Sequence, residues 1–459
     1  MTALRCASLD SCNEKTATSA RLLAVAAAIL LVCVFPRVSL SQSLPDIPLV
    51  YDFGVGARAM GMGQAYVAVC DDVSATFYNP AALGHVRRIE VSAGFSHLSD
   101  EWQTDFYGGK TTSQLGSTKL SSLALAYPFP AYRGSLVFGV AYNRTKNLDS
   151  DYMREGYNPS YLWPDFGGLV EGFEKETAFE RGGLSNWTVA MGTDVSAEVS
   201  VGGSVSFLSG SSERTYEYEA SWVNALAEEA NTYYFQNDDA DITGWTACVG
   251  TVARIGNAGR VGFTVNFPQY LTLDGSEYYE EAYDMTGDGV ADIYYTDDIV
   301  FEDEITLPLS FSAGASAAPL AGLILAFDAK YTDWKQIDYA GPIRIDNEYA
   351  YKATTSLRLG AEFTVPNAPL RVRAGYFTEP LAFRFMEDYS TPGQVWEATI
   401  DRDGRFFTLG AGLLVEDAFT VDAAWVHGGY EKSLPSRSDV DYSEERTSDR
   451  IFITTSFRF

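Results

Sequence analysis

The 459-residue sequence predicts an all-β fold, a closed fourteen-stranded antiparallel transmembrane barrel. Three observations lead there. Runs of period-2 hydrophobicity recur from residue 88 to the end. The connections between them alternate strictly between short and long. The last run closes on an aromatic residue, Phe459. Composition agrees: Tyr 28, Phe 27 and Gly 40 suit many short strands, and no apolar stretch reaches the roughly 18 residues of a membrane helix. A formal net charge of -28 argues against a nucleic-acid partner, because phosphate binding needs basic surface.

In order, residues 1–41 read as an export signal. Arg5, Lys15 and Arg21 precede the apolar run Leu22–Phe35, which is too short to span a bilayer. Ser39-Leu40-Ser41 supplies small residues for cleavage, so the mature chain is expected to begin at Gln42 and to reside in the bacterial outer membrane. Val32 before Cys33 is too bulky for a lipoprotein signal, and Cys6, Cys12 and Cys33 leave with the signal.

Residues 42–87 form the next unit, centred on Gly54–Leu83. Gly54, Gly56, Gly61 and Gly63 make this stretch too flexible for a stable helix, and it is too irregular for a strand. Its apolar residues need a cover. Gly54-x-Gly56-x-x-Ala59 matches a dinucleotide-binding fingerprint, but Pro45 and Pro48 stand where the strand should precede it, and no βαβ unit follows.

The barrel occupies residues 88–459. Its strands are read at 88–98, 117–128, 134–145, 184–194, 197–209, 243–255, 260–272, 303–315, 321–334, 352–364, 370–378, 404–415, 418–428 and 449–459. Phe138 and Val140, or Val261 and Phe263, share one face, which meets lipid; Gly262, Thr264, Arg371 and Arg373 alternate onto the lumen. Short links such as Asp194–Ala197 and Pro366–Pro369 mark one rim. Long connections at 99–116, 146–183, 210–242, 273–302, 335–351, 379–403 and 429–448 are expected to be external loops.

Candidate chemistry is sparse. There is no Gly-x-Ser-x-Gly, His-Glu-x-x-His or Cys-x-x-Cys, and His85, His97 and His427 sit in no catalytic pattern, so no enzyme activity is expected. By parity Lys330, Arg358, Arg371 and Arg373 face the lumen, where charge must be wet or paired. They could receive a substrate carboxylate, or pair with Asp328, Glu362 and the acids Asp71 and Asp72; pairing is the favoured reading. Asp284, Thr286, Asp288, Val290 and Asp292 have the spacing of a calcium loop with Gly289 at its sixth position, although Tyr295 replaces the closing glutamate; structural Ca²⁺ is the expected ion. Cys70 and Cys248 survive signal cleavage and are either a disulfide between the inner segment and the wall or two buried thiols.

Gly-Ala-Arg-Ala-Met-Gly-Met-Gly at 56–63, followed by Asp71-Asp72, Ser74-Ala75-Thr76 and Tyr78-Asn79-Pro80-Ala81, resembles the N-terminal hatch of the FadL/PorV superfamily of outer-membrane barrels. Ala82 stands where that pattern usually has Gly. The resemblance implies that Gly61, Gly63, Asp71, Asp72, Asn79, Pro80 and Ala81 shape a plug inside the barrel. It also implies that Phe457 and Phe459 carry the signal read by the outer-membrane assembly machinery. The FadL branch implies passive uptake of fatty acids or aromatic hydrocarbons, with first capture at external aromatics: Tyr152, Tyr157, Tyr161, Trp163 and Phe166, and Tyr233, Tyr234 and Phe235. The PorV branch implies instead a non-enzymatic shuttle that binds proteins of a type IX secretion system.

Overall fold

The computed structural model describes residues 54–459 apart from 133, 164–167, 224–228, 257, 341–350, 384, 389–393, 398, 417 and 434–440. The expected signal, the first residues of the expected hatch and Phe166 lie outside the described residues.

Eighteen strands join in one sheet. They are β1 (Glu90–Phe106), β2 (Gly109–Phe129), β3 (Leu136–Asn147), β4 (Ser150–Trp163), β5 (Gly168–Asp194) and β6 (Val199–Val223). Next come β7 (Glu229–Ile255), β8 (Gly259–Asn266), β9 (Gln269–Asp284), β10 (Ile293–Leu307), β11 (Ser310–Leu320) and β12 (Leu323–Asp333). The rest are β13 (Asp338–Ala340), β14 (Ala353–Thr364), β15 (Leu370–Glu379), β18 (Thr399–Val415), β19 (Phe419–Ser433) and β20 (Tyr442–Arg458); β16 (Phe385–Asp388) and β17 (Gln394–Glu397) pair separately. Four passes through the wall are interrupted, between β3 and β4, β8 and β9, β10 and β11, and β12 and β13, which leaves fourteen antiparallel passes. The sheet closes on itself: Val91 stands opposite both Leu125 of β2 and Phe457 of β20. Closure satisfies the backbone of every wall strand, which a bilayer demands.

Side-chain parity follows the sequence. Val91, Phe95, Leu123, Leu125, Val189, Met191, Ile451 and Ile453 are 41–54% exposed, so their partner is lipid and not protein. Their alternates, among them Ser92, Ser96, Thr188 and Ser204, are buried inward. Aromatic pairs border the apolar belt: Trp245–Tyr270 and Tyr142–Trp187 toward the long-connection rim, Tyr127–Phe129 and Phe457–Phe459 at the short-turn rim. Rings of this kind anchor a barrel at both interfaces.

One expectation fails. The stretches 99–116, 146–183, 210–242 and 273–302 are mainly strand, not loop. β1 and β2 run on to a two-residue turn at Tyr107-Gly108, where φ is 48° and 79°. β5 has 27 residues, β6 25 and β7 27, against the roughly 9–11 that cross a bilayer. Beyond the belt the outer face of β6 turns polar, through Ser209, Ser211, Glu213, Glu217 and Glu219, while its ladder with β7 continues. Apolar alternation therefore reports the surrounding medium, and it stops where the lipid stops, not where the strand stops. Tyr152, Tyr157, Tyr233, Tyr234 and Phe235 accordingly sit on β4 and β7, not in loops.

A closed barrel should resist detergent until heated. We expect a heat-dependent shift in electrophoretic mobility and β-type circular dichroism, with Phe459→Ala slowing assembly; helical dichroism, or one mobility at all temperatures, contradicts the fold.

Candidate functional site

Inside the wall, residues 54–86 are almost wholly buried. They fold into two short helices, α1 (Ala57–Gly61) and α2 (Ala75–Tyr78), and a 3-10 helix over Pro80–His85. None could stand alone in water at four to six residues. Burial by the barrel holds them. Asn79 starts the 3-10 helix: its Oδ1 accepts from Ala81 N, Pro80 takes the first position, and its Nδ2 donates to Val67 O and to Thr251 O of β7. Gly63 has φ of 59°, and a Cβ there would lie 2.5 Å from Leu359 O and 2.6 Å from Tyr376 N, so this turn is laid directly on the backbone of β14 and β15. Gly61 lies against Gly410 of β18 in the same way. Further hydrogen bonds reach Thr454 of β20, from Ala57 N, and Thr408 of β18, from Gly63 N. The segment thus touches strands around the whole circumference.

Charge fixes its register. Arg58, in α1, forms a fork with Glu362 of β14, Nε to Oε2 at 2.9 Å and Nη2 to Oε1 at 3.0 Å. Its Nη1 binds Asp71 and lies 3.2 Å from Asp72. Asp72 also accepts from Tyr66 Oη, Ser74 N and Ser74 Oγ. Glu362 is shared with Arg373 of β15 at 2.7 Å, and Arg373 goes on to Asp422 of β19 at 2.7 Å. Asp328 of β12 accepts from Tyr66 N and Val67 N at 2.6 and 2.8 Å. The buried Arg58 guanidinium loses solvation, yet Asp71, Glu362 and their neighbours more than offset that loss and hold its pKa above the usual arginine value.

Of the expected lumen cations, Arg373 is paired. Lys330, Arg358 and Arg371 do face inward, with Arg358 directly across from Asp328 on the neighbouring strand. Asp71 and Asp72, however, are held by Arg58 and not by this strip. Arg58 is the residue that sequence reading missed, although one cation among small apolar residues with two acids thirteen and fourteen positions on was the signal for it. A cavity of about 40 Å³ beside Arg58 is bounded by apolar groups of the inner segment and by Asp72, Glu90, Ser122, Asn143 and Asp422, and Asn143 Nδ2 has no protein partner.

Cys70 and Cys248 are free, buried thiols, which excludes the staple in this structure. Cys70 Sγ donates to Tyr66 O. Ser200 Oγ lies 3.4 Å from His85 Nε2 but donates to Asp194 Oδ1 at 2.7 Å, so its proton points to the carboxylate and not to the imidazole. His97 and His427 meet Thr118 and Asp449 on exposed surface.

In the acidic loop, Asp284 accepts from the amides of Thr286, Gly287 and Gly289; Asp292 accepts from Met285 N, and Asp288 from Val290 N. These carboxylates serve their own loop. Among the described residues no three His, Cys, Asp or Glu side chains converge as a metal site.

A fourteen-pass barrel with a buried helical inner segment narrows the family, and the sequence profile of BamG matches residues 52–420. The chain belongs to the BamG family. No curated protein sequence matches it. Solved structures similar to this BamG-family barrel include a Pseudomonas aeruginosa FadL homologue, at 16% identity and TM-score 0.62, over 88% of this chain and 98% of that one. The P. putida toluene transporter TodX follows at 14% identity and TM-score 0.59, covering 88% and 99%. The Ralstonia pickettii toluene transporter TbuX gives 14% and 0.52, covering 88% and 98%. At such identities the likeness establishes the fold, a FadL-like barrel.

Arg58→Ala leaves Glu362 and Asp72 buried with less compensating charge, a change that costs about 3–5 kcal/mol where a buried pair is broken. We expect earlier urea unfolding and new protease cleavage within 54–86, with Arg58→Met/Glu362→Gln recovering part of the loss. Unchanged midpoints and cleavage contradict the latch.

Proposed function

We propose that this barrel lies in the bacterial outer membrane and admits small hydrophobic compounds by diffusion, with residues 42–87 as its hatch and residues 1–41 as the export signal. The observation that carries this is an apolar cluster packed inside the barrel. Leu148, Leu184, Leu208, Ile242, Leu271 and Ile305 come from successive wall segments, point inward and form one apolar cluster with Ile337, Tyr351 and Ala382. On the other flank Leu98, Phe377, Phe406, Val426 and Phe452 point inward from the wall and pack against Met60 of the inner segment. A pore for hydrated solutes has polar walls; a wall of Leu, Ile and Phe lowers the free energy of an apolar guest. That the similar solved barrels include toluene transporters supports the same reading. The paired state of Arg373 favours a neutral guest over one led by a carboxylate.

Uptake of radiolabelled toluene and oleate, by cells with and without the gene, tests this. We expect the gene to raise uptake severalfold and Leu208→Glu/Ile242→Glu to remove the gain. Equal uptake without the gene sinks transport, and co-purification of secreted proteins sharing a sorting domain would favour the protein-binding alternative.

We also propose that calcium orders the 284–292 loop by drawing Asp284, Asp288 and Asp292 off their amides. Millimolar Ca²⁺ is then expected to protect the loop from external protease, and Asp288→Ala to abolish protection. Equal cleavage in calcium and in chelator shows the loop to be self-sufficient.

A further inference from the structure

At the short-turn rim this acidic chain turns basic. Arg87 and Arg88 are exposed just before β1. Arg254 of β7 and Arg260 of β8 stand directly opposite one another across the ladder. Like charges in that position repel. Neither arginine has an ion pair among the described residues, whereas Arg87 meets Asp194 at 3.3 Å and Arg458 meets Glu90 at 3.1 Å. The exposed acids of this rim are Glu198, whose carbonyl accepts from Arg254 N across the ladder and whose carboxylate accepts from Ser196 Oγ, and Glu416 in the turn before β19. His85, the last residue of the 3-10 helix, registers the local field: burial, then Arg260 and Arg254, push its pKa down to about 4.

Parity tells what the strip faces. Val261 and Phe263 of β8 are exposed toward lipid, so Arg260 lies on the lumen side; Arg254 shares parity with buried Val252 and is likewise turned from the bilayer. Lipid headgroups are thus poorly placed to neutralise the pair. Arg87, Arg88 and Arg254 are also open to solvent and not enclosed as a pocket for a small anion would be. What remains is an exposed cationic strip under the exit of the hatch, on a molecule whose net charge of -28 repels anionic polymers elsewhere. We propose that Arg87, Arg88, Arg254 and Arg260 form a docking surface for an acidic, extended segment of a periplasmic protein. Binding there would further offset the Arg254–Arg260 repulsion, which Glu198 beside Arg254 and Asp71 toward Arg260 relieve only from within.

The test uses the full chain in nanodiscs of zwitterionic lipid and a fluorescein-labelled deca-glutamate peptide, read by anisotropy. We expect saturable binding that 0.5 M salt abolishes, on the order of tenfold weaker in Arg254→Glu/Arg260→Glu and unchanged in Lys110→Glu/Lys175→Glu, which makes the same charge change beyond the opposite side of the belt. Arg254→Gln/Arg260→Gln, checked for the heat-dependent mobility of a folded barrel, stands in if charge reversal prevents assembly. No binding by the parent chain, or equal loss in the Lys110/Lys175 variant, overturns the proposal. So does competition by free glutamate at equal residue concentration, which would mark a small-anion site. Equal displacement by phosphatidylglycerol vesicles would assign the strip to lipid instead.

Discussion

The structure depends on Arg58. A plug that touches strands all around a barrel makes mostly weak, nondirectional contacts, and these alone would allow it to rotate or slide. The fork between Arg58 and Glu362 removes that freedom, because two parallel N–H···O bonds fix both position and angle. The same guanidinium gathers Asp71 and Asp72, so the inner segment's own turn is shaped by the residue that ties it to the wall. Buried ion pairs often contribute little net stability against apolar replacements, and this network is better understood as setting register.

Around that point the wall divides its labour. β14, β15 and β18 meet the segment backbone to backbone, through Gly63 and Gly61, with no room for side chains. β1, β2, β3 and β19 meet it across hydroxyls, amides and carboxylates that border a small cavity. Contact of the first kind is rigid and lost all at once. Contact of the second kind can exchange protein partners for water one bond at a time.

Much of this was legible in the residues. Period-2 alternation at Val261-Gly262-Phe263-Thr264 gave both strand and facing, since lipid demands apolar groups on one side only. Every one of the fourteen passes lies where such alternation placed it. The strand extensions were not legible: outside the bilayer both faces of β6 and β7 may be polar, and residues such as Glu213 and Asp239 then look like loop. Partners across the lumen were hidden for a different reason. Parity says that Arg373 points inward, but whether it meets Asp71, Glu362 or Asp422 depends on how a separate segment threads the barrel.

The long strands have a consequence for reach. At about 3.3 Å per residue, a strand of 27 residues has a contour of roughly 90 Å, while the hydrocarbon core is about 30 Å thick. Even with strand tilt, β5, β6, β7 and β9 carry the sheet far above the membrane surface as a stiff, hydrogen-bonded wall. Any large object approaching the membrane from that side would meet Glu217, Glu280 and Asp298 before it met lipid. The barrel is in this sense also a spacer, and the height of its wall sets how near a neighbour can come.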